Sequence, residues 1–366
     1  MFNHQPFSQV PLDHIFNSVG MAAAASQTIP TAEQEEEEEK FNEILSSLPK
    51  DDGLPLIPLY RYKQFWYPKR LLWGTLLATQ SHSKAKDTDV ILASTPKAGT
   101  TWLKALTYAI INRAHFPPSH QHHPLLSNNP HRLIPFLEEL YIHSSSNTTS
   151  QSNNIPPSHH PIVSTHIPYS MLPKSVKYDS NCKIVYICRD PKDVVVSLWH
   201  FIAGWARTTS SGLTAPIPLE DLCESFCAGV SVFGPFWEHV REYWEASLDE
   251  KVLCLKYEDL KRKPVGVVKG LAEFLGYGFT AEEEERGVIE EVVKLCSFEK
   301  LSRMEANSKG ALPLAGPHRP AEQVEYKLFF RRGEVGDSTN YLTTQMAQRL
   351  DRITQEKFQG LGMTIP

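Results

Sequence analysis

Apolar positions along the chain alternate between two patterns. Short β-branched runs read as buried strands, and stretches of helical period follow them, which is the signature of an α/β fold. Val90 to Ala93, Ile162 to Thr165, Ile184 to Cys188 and Val252 to Lys256 are the strand-like runs. Pro96 breaks the first, Gly99 permits a tight turn, and Thr100 and Thr101 open a helix. In that helix Leu103, Leu106, Ala109, Ile110 and Ile111 fall on or near one face, to about Ala114. Asp190-Pro191 starts a second helix after the third run, with Ser197 two turns in. Further helices are predicted over Phe41 to Leu48, Phe233 to Trp244, Pro264 to Leu275, from the acidic run Glu282 to Glu285, and over Thr343 to Phe358.

Elsewhere the pattern fades. Residues 1–40 are rich in Gln, Ala, Ser and Pro and end in Glu35 to Glu39, predicting a disordered extension before a domain over 41–366. The acidic run reads as the solvated beginning of a helix, and Met21 is an alternative start. Tyr60, Tyr62, Phe65, Trp66 and Tyr67 form an aromatic cluster in a loop-like context, most of it core cover and one or two residues a pocket wall. Residues 143–160 form a low-complexity loop of Ser, Asn, Gln and Pro.

Composition narrows the class. A chain of 366 residues allows one large α/β domain or two smaller ones. A net charge of -5 with 22% charged residues excludes bulk nucleic-acid binding. No apolar stretch approaches the ~18 residues of a membrane span. The N-terminus shows no secretory signal, and residues 1–32 contain no Lys or Arg, so a cytoplasmic location is expected. The six cysteines form no CxxC pair and read as reduced and buried. The sequon Asn147-Thr148-Thr149 carries no weight without secretion. His120, His122 and His123 lack further ligands at metal spacing, so no metal is expected.

The chemistry concentrates in Thr95 to Lys104. A strand, tight loop and helix aim several backbone N–H groups, at the positive end of a helix dipole, at one spot beside two hydroxyls and Lys97. Such a cradle suits phosphate or sulfate. It is not a Walker A loop, because the lysine precedes the glycine and can reach a group leaving the terminal phosphate. His166 ends the second strand, at the edge where ligands collect in open sheets. Arg189 ends the third and suits bidentate phosphate contact, or alternatively an ion pair with Asp190 or Asp193. Tyr257-Glu258-Asp259 follows the fourth, and Phe329-Phe330-Arg331-Arg332-Gly333 combines aromatics with a basic pair.

Together these segments resemble the plant soluble sulfotransferases, from about Phe41 to the C-terminus. The matching stretches are Thr95-Pro96-Lys97-Ala98-Gly99-Thr100-Thr101-Trp102, Thr165-His166-Ile167-Pro168, Tyr186 to Asp193, Lys256-Tyr257-Glu258-Asp259 and Arg331-Arg332-Gly333. The resemblance implies one α/β domain with a central parallel sheet flanked by helices, related to P-loop nucleotide kinases. It implies sulfuryl transfer from 3′-phosphoadenosine 5′-phosphosulfate (PAPS) to a hydroxyl of a small acceptor, such as a flavonol or hydroxyjasmonate. Lys97, Ala98, Gly99, Thr100, Thr101 and Trp102 would hold the 5′-phosphosulfate. Arg189 and Ser197 would hold the 3′-phosphate, with Arg331, Arg332 and Gly333 closing over it. Tyr257 would contact adenine, and Trp102 and Phe298 would flank the base. His166 would be the general base and Lys97 would offset charge on the leaving oxygen, with no metal.

The departures are local. Ala98 stands for the commoner Ser without changing the backbone N–H, Ser164 for a Lys of animal members, and Ser338 for a Trp. Thr339, Thr343, Thr344 and Gln348 match the animal dimerisation pattern only in part, so a monomer is expected. A kinase-like phosphotransferase would want Walker A order and a magnesium-binding carboxylate. A non-catalytic nucleotide-binding relative would have lost Lys97 or His166.

Overall fold

Strand direction decides where this chain can do chemistry. The computed structural model describes residues 32–52, 58–80, 84–145, 162–208, 217–314 and 322–363. Most of the predicted N-terminal extension and of the 143–160 loop lies outside these residues. The central sheet contains β4 (Val90–Ser94), β5 (Ile162–Thr165), β6 (Lys183–Cys188) and β7 (Val252–Lys256), all parallel, in the order β5-β4-β6-β7. Ahead of it, β1 (Lys50–Asp51), β2 (Leu59–Tyr62) and β3 (Phe65–Pro68) form an antiparallel sheet, and β8 (Ala311–Leu314) pairs with β9 (Glu322–Glu325).

The apolar runs become strands because helices cover both faces. Period-two alternation splits them between two cores. Ile91, Ala93, Ile184, Tyr186 and Cys188 belong to one core, while Val90, Leu92, Val185 and Ile187 belong to the other. The register pairs Ala93 with Thr165, Ser94 with Ile187 and Cys188 with Lys256. The C-terminal ends therefore lie side by side. Chain order reverses around β4, whose two neighbours are the next two strands of the sheet, and such a switch point opens a crevice at that edge.

Three expectations change in detail. The helix Ala32–Ser47 crosses the expected boundary at residue 40, in keeping with the acidic run Glu35 to Glu39 as the beginning of a helix. Glutamate is a good helix former, and Lys40 pairs with Glu36 one turn back. The aromatic cluster is a hairpin, with Tyr60 opposite Tyr67 and Tyr62 opposite Phe65. Its turn carries Lys63 at φ 54 where a glycine would have announced it. The helix expected from Phe233 begins at Phe236, and Phe233 itself lies in a turn at φ 60.

The helix Lys69–Gln80 packs on the helix Leu137–Ser145 through Gly74, where an added Cβ would sit 2.5 Å from the Glu138 carbonyl oxygen and 2.9 Å from Ile142 Cδ1. Arg70 also pairs with Glu139 across this contact. Gly74→Val should destabilise the protein by about 1–3 kcal/mol through overpacking. A denaturation midpoint equal to that of wild type would contradict this close approach.

Candidate active site

The loop after β4 is shaped by two left-handed residues, Lys97 at φ 69 and Gly99 at φ 116. A Cβ at Gly99 would lie 2.9 Å from Tyr257 Cδ2, so glycine is required for space as well as for φ. Lysine in this region costs energy and persists where the surroundings hold it. The helix Thr100–Asn112 starts at Gly99, and Leu103 N–H donates back to the Gly99 carbonyl at 3.0 Å. The N–H groups of Thr100, Thr101 and Trp102 thus have no intrahelical acceptor and lie at the positive end of the dipole. The Thr100 hydroxyl is tied to the Ser94 hydroxyl at 2.6 Å, and Thr101 Oγ1 lies 2.9 Å from His131 Nε2.

Three cations converge beside this loop. Burial first, then Arg189 and Arg331, pull the Lys97 ammonium down to about 7. Its Nζ lies 4.2 Å from the Phe201 ring centroid and donates to the Leu328 carbonyl at 3.4 Å. Arg189 is 6% exposed and donates to Asp193 at 3.0 Å and to the Glu334 carbonyl at 2.5 Å. Its guanidinium also stacks over Tyr257 at 4.4 Å. The ion pair with Asp193 is therefore present. It does not saturate the arginine, because Nε is buried with no hydrogen-bond partner among the described residues, and so is Arg331 Nε. Two buried guanidinium donors without acceptors, next to a half-buried lysine, fit an oxyanion of a ligand.

The sequence offers Asp193 only as a rival partner for Arg189. In the fold it also accepts from Gly336 N–H at 2.9 Å and Ser338 N–H at 3.0 Å. It therefore fastens the C-terminal segment to the third strand's arginine. Within that segment Asp337 accepts from Arg331 and Arg332. Arg332 is half-exposed and turned towards Asp337 and Glu334. Gly333 at φ 66 packs under Phe298, whose Cδ2 would be 2.3 Å from any Cβ there. Trp102 meets Tyr257 edge-on at 5.5 Å, placing an aromatic corner beside the loop. Ser197 is buried in the helix Pro191–Ala206, two turns beyond Arg189.

His166 stands at the end of β5. Its Nδ1 lies 2.7 Å from the Ser94 carbonyl oxygen, which can only accept, so Nδ1 carries the proton and Nε2 holds the lone pair. The backbone around it is fixed as well. His166 N–H donates to Glu138 at 3.1 Å, and the His166 carbonyl accepts from His239 Nε2 at 2.9 Å. Tyr186 OH, 3.0 Å from His239 Nδ1, completes that chain. Burial is the main cause that holds the His166 imidazole down at about 3, and the hydrogen bond to Ser94 opposes it. Lys104, His239 and Lys97 push the same way as burial. Glu138 is itself driven up to about 7 by burial.

Loop, cations and neutral imidazole thus occupy one edge of one sheet. The family model described as a sulfotransferase domain matches residues 87–362. The chain belongs to the sulfotransferase family. This sulfotransferase is 45% identical over 324 residues to cytosolic sulfotransferase 13 of Arabidopsis thaliana, covering 88% of this chain and 92% of the relative. It is 44% identical to the flavonol sulfotransferase-like protein of Flaveria bidentis, covering 89% of this chain and 100% of that one. Among solved structures, an Arabidopsis thaliana sulphotransferase superposes with a TM-score of 0.67 at 36% identity, covering 93% of this chain and 100% of that one. Mouse sulfotransferase SULT7A1, complexed with PAP, gives 0.57 at 25% identity, covering 82% and 95%.

Among the described residues of the sulfotransferase, no cluster of three potential metal ligands occurs and no helix is long and apolar enough to cross a membrane. Sequence reasoning missed Lys104, His131, Glu138 and His239, all buried beside the site. A lysine within an otherwise apolar helix face was the one visible signal.

Asp193→Ala removes the counter-charge of a buried arginine and the acceptor of two backbone donors. It should cost about 3–5 kcal/mol of stability. Urea unfolding checks this, and a loss below 1 kcal/mol, the range of an exposed pair, would show that Asp193 does not bind the segment to Arg189.

Proposed function

We propose that this sulfotransferase transfers a sulfuryl group from PAPS to a hydroxyl of a small aromatic or apolar plant metabolite, acting in the cytoplasm as a monomer. The single observation that carries the donor is the pair of buried, unpartnered guanidinium nitrogens of Arg189 and Arg331 beside the Lys97–Trp102 loop. Arg189, with Ser197 and Arg331, takes the 3′-phosphate, and Arg332 and Gly333 complete that flank. The loop N–H groups and the Thr100 and Thr101 hydroxyls take the 5′-phosphosulfate. Trp102, Tyr257 and Phe298 flank the adenine. PAP bound to the mouse relative supports this reading.

His166 Nε2 removes the acceptor proton as the hydroxyl attacks sulfur, and Lys97 offsets the charge that grows on the departing bridge oxygen. In-line transfer asks the protein for position and charge more than for covalent chemistry. Phe136 at 4.9 Å and Phe233 at 5.7 Å from the His166 ring support an acceptor with a flat or apolar body, such as a flavonol or hydroxyjasmonate. A kinase-like reaction has less support, because the lysine precedes the glycine in the loop.

PAP should bind far more tightly than 5′-AMP, since each charge-assisted contact to the 3′-phosphate contributes about 1.5–3 kcal/mol. Equal affinities by calorimetry would sink the donor assignment. His166→Ala should lower kcat by ~10²–10⁴-fold and leave PAP affinity nearly intact. A folded variant with near-normal turnover would end the general-base role.

The pH profile follows from the same geometry. Neutral imidazole is the working form, and it gains its proton only as pH falls towards about 3. kcat/KM should therefore stay level through the ordinary histidine range on the acid side. Lys97 loses its charge as pH rises through about 7, so kcat/KM should decline on the alkaline side. An acid limb centred near the ordinary histidine value of about 6.5 would contradict a buried base.

A further inference from the structure

Lys104 is 0% exposed, one turn inside the helix that the cradle loop opens. Its Nζ lies 2.9 Å from the Ile134 carbonyl oxygen, 3.0 Å from His131 Nδ1 and 3.6 Å from the Phe136 ring centroid. Burial pushes the Lys104 ammonium well down, and Glu138 and Glu139 oppose that. The carbonyl, the imidazole nitrogen and the ring face still give an ammonium one place for each of its three N–H groups, so the geometry fits the cation. The carbonyl and the ring face can only accept, which leaves the third N–H for His131 Nδ1. His131 must then carry its proton on Nε2, which lies 2.9 Å from Thr101 Oγ1. The imidazole donates there, and the Thr101 hydroxyl hydrogen has to point elsewhere.

We propose that Lys104 and His131 are positioning residues that set the Thr101 hydroxyl as a hydrogen-bond donor towards the anionic group of the sulfuryl donor. This rests on reading the Lys97–Trp102 loop as the cradle for that anion. The neighbouring Thr100 differs, because its partner is the Ser94 hydroxyl, which can donate or accept. Only Thr101 has its direction imposed. Burial keeps His131 neutral, with Lys104, His166 and Lys97 adding to the effect, so it stays a one-donor, one-acceptor link. The order Lys104 to His131 to Thr101 turns a buried charge into an oriented dipole at the loop without exposing the ammonium. Phe136 ties the arrangement to the base, since its ring also lies 4.9 Å from that of His166.

The tautomer is directly measurable. In full-length protein labelled with 15N histidine, long-range nitrogen–proton correlation should show His131 protonated on Nε2, with the signals assigned by their loss in His131→Gln. Protonation on Nδ1 would overturn the proposal, because Thr101 would then have to donate inward. Calorimetry with PAP supplies the functional arm. Lys104→Met and Thr101→Val should each weaken PAP by about 10- to 100-fold, the range of a hydrogen bond to a charged group. The double variant should be no weaker than Thr101→Val alone, because Lys104 acts through that hydroxyl. Fully additive losses would show that Lys104 supports the fold generally and would refute the link. His131→Gln, whose amide keeps one donor and one acceptor, should retain more affinity than His131→Phe, and the reverse order would count against it. Failure of wild-type protein to bind PAP would refute the donor assignment, an outcome that leaves the tautomer measurement independent.

Discussion

Parallel pairing of β5, β4, β6 and β7 is the constraint on which the rest of the site depends. Each strand runs the same way, so each delivers the residue after its last ladder bond to the same edge. Lys97, His166, Arg189 and Tyr257 follow four different strands and are far apart in sequence, yet the ladder brings them together. The bond from His166 Nδ1 to the Ser94 carbonyl crosses directly between two of those strand ends. A one-residue slip of β5 against β4 would put the imidazole on the other face of the sheet.

The edge is electrostatically demanding. Lys97, Arg189, Arg331 and Lys104 are drawn into or near it in a chain whose net charge is -5. Asp193 and Asp337 neutralise part of the charge, and both carboxylates also hold neighbouring groups in place. The histidines contribute no charge, because burial keeps His131, His166 and His239 neutral. Positive potential therefore rests on the arginines and on the two lysines, whose ammonium groups burial pulls down, Lys97 to about 7. The imidazoles serve as oriented donors and acceptors.

The sheet and the loop were readable in the sequence because their signals are local. β5 and β7 have the predicted bounds, and β4 and β6 extend by one residue beyond theirs. Apolar β-branched runs stopped by Pro, Gly or a charged residue leave little choice. The hairpin of β2 and β3 was hidden because its turn uses Lys63 in the left-handed region, without the usual glycine. The supporting shell was harder to see for a different reason. Glu138 and His131 come from segments whose polarity suggests surface, His239 lies in an aromatic helix that reads as core, and each has a side-chain partner distant in sequence that spacing does not reveal. Lys104 was the exception that a helical wheel exposes, a charge within an apolar face. Its partner His131 could not be inferred from spacing.

The fastening of residues 336 and 338 to Asp193 has a consequence for how the protein is made. The parallel sheet and Arg189 are complete in the chain once β7 has been synthesised, long before the last helix. Until Gly336 and Ser338 have emerged, Asp193 lacks two of its donors, and Asp337 is absent as a partner for the Arg331 and Arg332 that precede it. A nascent chain can thus hold all four parallel strands while the edge beside Arg189 still lacks its covering segment. Domains grow from the N-terminus during synthesis, so the contacts that hold residues 331–338 over Arg189 come last, separate in time from the synthesis of the scaffold.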